Sequence, residues 1–127
     1  MMKKMVIEYP LSQGTVHVIW NAISVPSGLE RWFADKVTKN DKSFIFQWGK
    51  TETREAKLIN LRTEHFIRFH WVDDEETKSY FEMKVQYNEL TKDHMLTIVD
   101  FAEEGEEDDQ ISLWNSLISK LKRVYGL

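Results

Sequence analysis

The sequence predicts an α+β fold, an antiparallel sheet laid against one long C-terminal helix, in a single domain over residues 1–127. Three observations predict it. Residues 43–101 alternate apolar and polar side chains with a period of two, the mark of strands with one buried face. The last twenty residues instead repeat apolar side chains at helical spacing. A chain of 127 residues fits one domain, and at this size roughly two thirds of the unfolded surface is buried, enough for a real core.

The first strand is read over residues 3–11, with Met5, Ile7, Tyr9 and Leu11 on one face and Lys4, Val6 and Glu8 on the other. Pro10 stops it or places it at a sheet edge, because proline has no N–H for a second neighbour. Val16, Ile19, Trp20 and Ile23 then form one face of a short helix. Pro26-Ser27-Gly28 reads as a break, and Leu29, Trp32 and Phe33 as a second short helix.

Five strands follow. Phe44, Phe46 and Trp48 share a face, and Gly49-Lys50 makes a turn. A second strand runs through Ala56, Leu58 and Leu61, a spacing that leaves its register open. Ile67, Phe69 and Trp71 alternate with Phe66, Arg68 and His70. Asp73-Asp74-Glu75-Glu76 reads as a turn. Phe81, Met83, Val85 and Tyr87 alternate with Tyr80, Glu82, Lys84 and Gln86, and the last strand, 94–101, carries Leu96 and Ile98 on one face. Short polar connections favour antiparallel neighbours.

Ile111, Trp114, Leu117, Ile118, Leu121, Val124 and Tyr125 make one apolar stripe of the final helix. Asp108 or Asp109 is read as its N-cap, and Gly126 as its C-terminal cap. Acids at its start and Lys120, Lys122 and Arg123 at its end suit the helix dipole. The acidic run 103–109 therefore has an ordinary structural reading, a solvated loop leading into the helix, beside a functional one, recruitment of a basic partner or guarding of a cavity mouth.

Composition excludes several function classes. With no Cys, disulfide frameworks, thiolate zinc sites and Cys nucleophiles all fall away. A net charge of −4 argues against nucleic-acid binding, which needs a basic face. No apolar run approaches the ~18 residues of a spanning helix, and the run near the start ends at Glu8, short of a signal peptide. The expected compartment is the cytoplasm.

His65 and His70 sit an odd number of residues apart and His17 and His94 lie on other elements, so no metal site is expected. Glu82 should point outward. Asp100 shares a face with Leu96 and Ile98 and is the best inward acid, near a strand end. No second inward acid, no nucleophile motif and no Gly-rich phosphate loop accompanies it, so the sequence offers no positive evidence for an enzyme, and no catalytic residue or cofactor is assigned.

Three strings carry a family resemblance. Val18-Ile19-Trp20-Asn21-Ala22-Ile23-Ser24 resembles the first-helix string of the START-like (SRPBCC, helix-grip) superfamily, in the branch named after the activator of the Hsp90 ATPase. Leu29-Glu30-Arg31-Trp32-Phe33-Ala34-Asp35 resembles its second-helix string, and Ile67-Arg68-Phe69-His70-Trp71 its central strand. The final helix fits the family's terminal helix. The chain departs from the branch in 56–64, where Asn60 stands at the expected Glu and no Pro occurs. The resemblance implies a curved sheet wrapped around the C-terminal helix, with a hydrophobic cavity between them.

The expected function is binding of a hydrophobic or amphipathic small molecule in that cavity. Its expected lining is Trp32, Phe46, Trp48, Ile67, Phe69, Trp71, Phe81, Met83, Val85, Leu96 and Ile98 from the sheet side. Trp114, Ile118 and Leu121 complete it from the helix. The ring N–H groups of Trp48 and Trp71 are expected anchors for a polar end of the guest. The alternative is that these side chains fill the core and that the protein is an interaction module, a chaperone co-factor or a homodimer.

Overall fold

The structure, a computed structural model, describes residues 2–12, 14–74 and 78–127. Seven strands form one antiparallel, curved sheet: β1 (Met2–Leu11), β2 (Lys36–Asn40), β3 (Ser43–Trp48), β4 (Glu52–Arg62), β5 (Phe66–Trp71), β6 (Phe81–Asn88) and β7 (Asp93–Glu103). Their order is β1-β7-β6-β5-β4-β3-β2, so only the step from β1 across to β7 joins strands distant in sequence. Helices α1 (Val16–Ser24) and α2 (Pro26–Leu29) fill the connection between β1 and β2, and α3 (Glu107–Tyr125) ends the chain.

The alternation read from sequence sets the faces. Ile67 and Phe69, Phe81 and Met83, and Leu96 and Ile98 are fully buried on the inner face. They join Trp114, Ile118 and Leu121 of α3 in one core. Arg68 lies on the outer face opposite Glu82, as does Val6 opposite Val99. Pro10 is in β1, an edge strand, where its missing N–H costs no ladder bond on the open side. Beyond the core, the described helices include none long and apolar enough to cross a membrane.

Three local readings are corrected, and a fourth holds with an addition. First, β2 is a strand that periodicity does not reveal. Val37 is its one buried residue, and its other side chains are exposed because it is the opposite sheet edge. Second, the helix does break after Ser24, but Pro26-Ser27-Gly28 also opens α2, with Pro26 in the first turn where its missing N–H is harmless. Trp32 and Phe33 follow α2 in a turn, fixed by Trp32 Nε1–H donating to Ala22 O at 2.8 Å. Gly28 is required there: a Cβ would meet Asn21 O at 2.0 Å, so the glycine lets α2 close onto α1.

Third, the N-cap of α3 is Glu106, which makes no side-chain cap bond, while Asp108 and Asp109 lie in the first turn. Gly126 does cap its C-terminus, with φ 69°. Fourth, Glu82 points outward yet is buried, because Arg68 folds over it. Arg68 Nε donates to Glu82 Oε1 at 2.9 Å, and its guanidinium lies 4.1 Å from the Tyr80 ring centre. Glu75 and Glu76 of the acidic turn lie outside the described residues.

The open register of β4 has a local cause. Leu58 pairs with Phe69, Asn60 with Arg68 and Leu61 with Ile67, so a bulge at Ile59 shifts the alternation by one. Ala56, Leu58 and Leu61 therefore share the inward register despite their uneven spacing.

Candidate functional site

The inner face is closed by packing along most of its length and open at one end. There the strand ends of β3, β5 and β6 present Trp48, Trp71 and Phe81. The turn after α2 brings Phe33, and α3 brings Trp114. Consecutive ring centres around this circuit stand 4.9–6.4 Å apart: Phe33 to Trp48, Trp48 to Trp71, Trp71 to Phe81, Phe81 to Trp114 and back to Phe33. Leu113 and Leu117 of α3 form the near wall of a cleft of about 270 Å³ above these rings.

Four polar side chains border the same cleft: Glu52, Arg54, Asp100 and Gln110. Their placement follows from the ladders. Trp48 pairs with Glu52 and Phe46 with Arg54, so counting back by two from Ala56 puts both charges on the inner face, just past the core. Asp100 follows Leu96 and Ile98 inward on β7. It is only 8% exposed, deeper than a strand end suggests.

Asp100 is held by donors from two elements. Trp114 Nε1–H and Gln110 Nε2–H both donate to Oδ2, at 2.7 and 2.8 Å, and the Phe101 N–H donates to Oδ1 at 2.8 Å. Burial pushes the Asp100 carboxyl above its ordinary range, while these three bonds and the charge of Arg54 pull it back. The three donors suit an acceptor-only carboxylate, and they tie α3 to the sheet at the cleft.

The Arg54 guanidinium lies over Trp71, 4.0 Å from the ring centre, and grips Asp73 with two bonds of 3.1 and 2.8 Å. That hydrogen-bonded guanidinium holds the Asp73 carboxyl below its ordinary range. Arg54, Trp71, Asp100 and Gln110 also border a second, polar cleft of about 460 Å³. A third groove of about 310 Å³ continues the first along α3, past Phe33, Trp48, Leu113 and Leu117 to Lys120.

Of the residues expected at the cavity, Trp48, Trp71, Phe81 and Trp114 border the first cleft. Trp32 borders the third groove. Phe46, Ile67, Phe69, Met83, Val85, Leu96, Ile98, Ile118 and Leu121 are packed together in the core beneath. Sequence reasoning did not place Phe33, Glu52, Arg54, Gln110, Leu113 or Leu117 there. Period two continued back through β4 was the available signal for Glu52 and Arg54.

The expected anchor on Trp48 is corrected: its ring N–H is spent on Phe33 O at 2.9 Å, fastening the turn after α2. Trp71 Nε1–H has no protein partner among the described residues. No group of three or more His, Asp or Glu among the described residues is arranged to hold a metal ion.

A sheet curved around one long C-terminal helix, with two helices after the first strand and a cleft at the open end, defines a helix-grip protein. The chain belongs to the START-like superfamily, whose domain matches it over residues 1–127. It is 52% identical to a Bacteroides fragilis protein solved by NMR, with a TM-score of 0.70 over 96% of this chain and 90% of that one. At 10% identity it shares its fold with the Aha1 dimer from Colwellia psychrerythraea (TM-score 0.77; 97% and 96% covered). The same holds for a crystal structure from Bacillus thuringiensis (10% identity, TM-score 0.79; 97% and 98% covered). No match was found among curated proteins.

Proposed function

We propose that this domain binds a small apolar or amphipathic molecule, and that the guest lies in the cleft over Trp48, Trp71, Phe81 and Trp114. The observation that carries this reading is the cleft's composition, a floor of five aromatic rings with a few polar groups at one rim. Binding sites for small molecules are mostly apolar with few convergent polar groups. The volume of about 270 Å³ lies just under the usual range of about 300–1,000 Å³, so the guest is small. The filled core beneath argues against a long lipid swallowed between sheet and helix.

The reading is tested by displacement of an environment-sensitive apolar dye. Leu117→Trp fills the cleft from a half-buried position on α3, so the fold survives the change. The dye should bind the parent protein and be displaced by small aromatic compounds, and Leu117→Trp should not bind it. Equal dye binding by both proteins would refute the assignment.

A second reading, self-association, takes support from the dimeric state of the Colwellia psychrerythraea Aha1 structure. Against it, the four most exposed large apolar side chains, Val6, Ile59, Tyr87 and Leu90, are divided among β1, β4 and the β6–β7 hairpin. Native mass spectrometry reads both readings at once, through bound mass and oligomer number.

A further inference from the structure

We infer that the guest of the cleft is an apolar amine, its ring body on the aromatic floor and its ammonium group among Glu52, Asp100 and Gln110; this rests on the ligand-binding reading and narrows it. The rim carries more unbalanced negative charge than positive. Asp100 and Glu52 carry carboxylates, which when ionised only accept. Gln110 gives one N–H of Nε2 to Asp100 and keeps its second N–H and its amide oxygen, the latter an acceptor. Asp100 has used its Oδ1 once, for the Phe101 N–H, and keeps a lone pair there. The Glu52 carboxylate is exposed and has no partner among the described residues.

The positive side of the rim is balanced already. Trp114 Nε1–H is spent on Asp100 and Trp48 Nε1–H on Phe33 O. Arg54 is the only cation among the described lining residues of this cleft, and Asp73 already holds it with two bonds. Trp71 Nε1–H, the second N–H of Gln110 and the Arg54 N–H groups that Asp73 does not take are the donors that remain, and none of them adds an unbalanced positive charge. A guest carboxylate would meet two carboxylates and one neutralised guanidinium. A guest ammonium would meet three acceptors and the faces of Trp rings, which attract cations. Trp71 already displays that preference by carrying the Arg54 guanidinium at 4.0 Å.

The test uses four guests with one naphthyl body and different ends: an ethylamine, its trimethylammonium counterpart, an ethanol and an acetate. Each is titrated calorimetrically into the full chain at pH 7. The amine should bind at least about tenfold more tightly than the acetate, a gap of about 1.4 kcal/mol, with the alcohol between them. The trimethylammonium guest should fall short of the amine, because it has no N–H to give the acceptors. Glu52→Gln should shrink the amine's lead over the alcohol several-fold. Glu52 is exposed, so that variant folds. If the alcohol and amine bind equally, or the acetate binds best, the amine assignment is overturned while ligand binding stands. If no guest binds, both fall together.

Discussion

Trp114 on α3 donates its ring N–H to Oδ2 of Asp100 on β7 at 2.7 Å, across 14 residues of sequence, and both side chains are buried. The bond fixes where the C-terminal helix meets the sheet, and it does so at the wall shared by the apolar and polar clefts. One contact thus serves both fold and site, and its two halves can be separated by substitution. Trp114→Phe keeps most of the ring and removes the donor. It should cost about 1.5–3 kcal/mol, as expected for a hydrogen bond to a charged group. Trp114→Ala also removes the packing and should cost about 3–5 kcal/mol. Urea titrations of the two variants check the order, and a loss near zero for Trp114→Phe would mean that the bond contributes nothing.

Asp100 also gives the protein a pH signature. Its carboxyl titrates above 3.8 in the folded chain because it is buried. The folded state therefore holds this proton more tightly than the unfolded chain does. The stability this contributes is present below the unfolded value and is lost as pH rises through the folded one. The stability of the parent relative to Asp100→Asn should thus decline as pH rises above about 4. Urea titrations of both proteins across pH 3–7 check the sign; a relative stability rising with pH would contradict it.

The two ion pairs of the sheet should behave differently. Arg54–Asp73 is exposed, so Asp73→Ala should change stability by less than about 1 kcal/mol. Glu82 is 8% exposed beneath Arg68, so Glu82→Ala strands a half-buried guanidinium and should cost about 1.5–3 kcal/mol. Added salt should erase the first effect and leave most of the second. Chemical denaturation at low and high ionic strength distinguishes them.

Gly28→Ala should cost about 1–3 kcal/mol, since the new methyl group must push Asn21 O away and part α2 from α1. The same residue's carbonyl accepts from Tyr125 Oη–H at 3.1 Å, so the loss should also loosen the end of α3. Hydrogen exchange of the last turn of α3 reads this directly.

Strongly periodic segments were legible in the sequence. Phe69, Met83 and Ile98 could be assigned to the inner face because each strand alternates cleanly and a one-residue slip would bury Arg68 or Lys84. What escaped has specific causes. Strand β2 has a single buried residue, so an edge strand and a polar loop look alike. Trp32 and Phe33 keep helical spacing in a turn, where contacts with α1 and β3 override the local preference. The polar rim was hidden because Glu52 and Arg54 obey the alternation but break the apolar pattern by which the inner face was recognised. Asp100 was visible as inward, but its depth depends on Gln110 and Trp114, two residues brought by a helix whose docking angle no periodicity specifies.

The central claim is that a guest sits over the aromatic floor at the open end of the sheet. The most direct measurement follows the five indole N–H signals of the 15N-labelled protein as naphthylethylamine is added. The signals of Trp71 and Trp114 should move most, with Trp48 following, while Trp20, at α1 and away from the cleft, stays fixed. Saturable shifts confined to Trp20 or Trp32, or none at all, would contradict the claim.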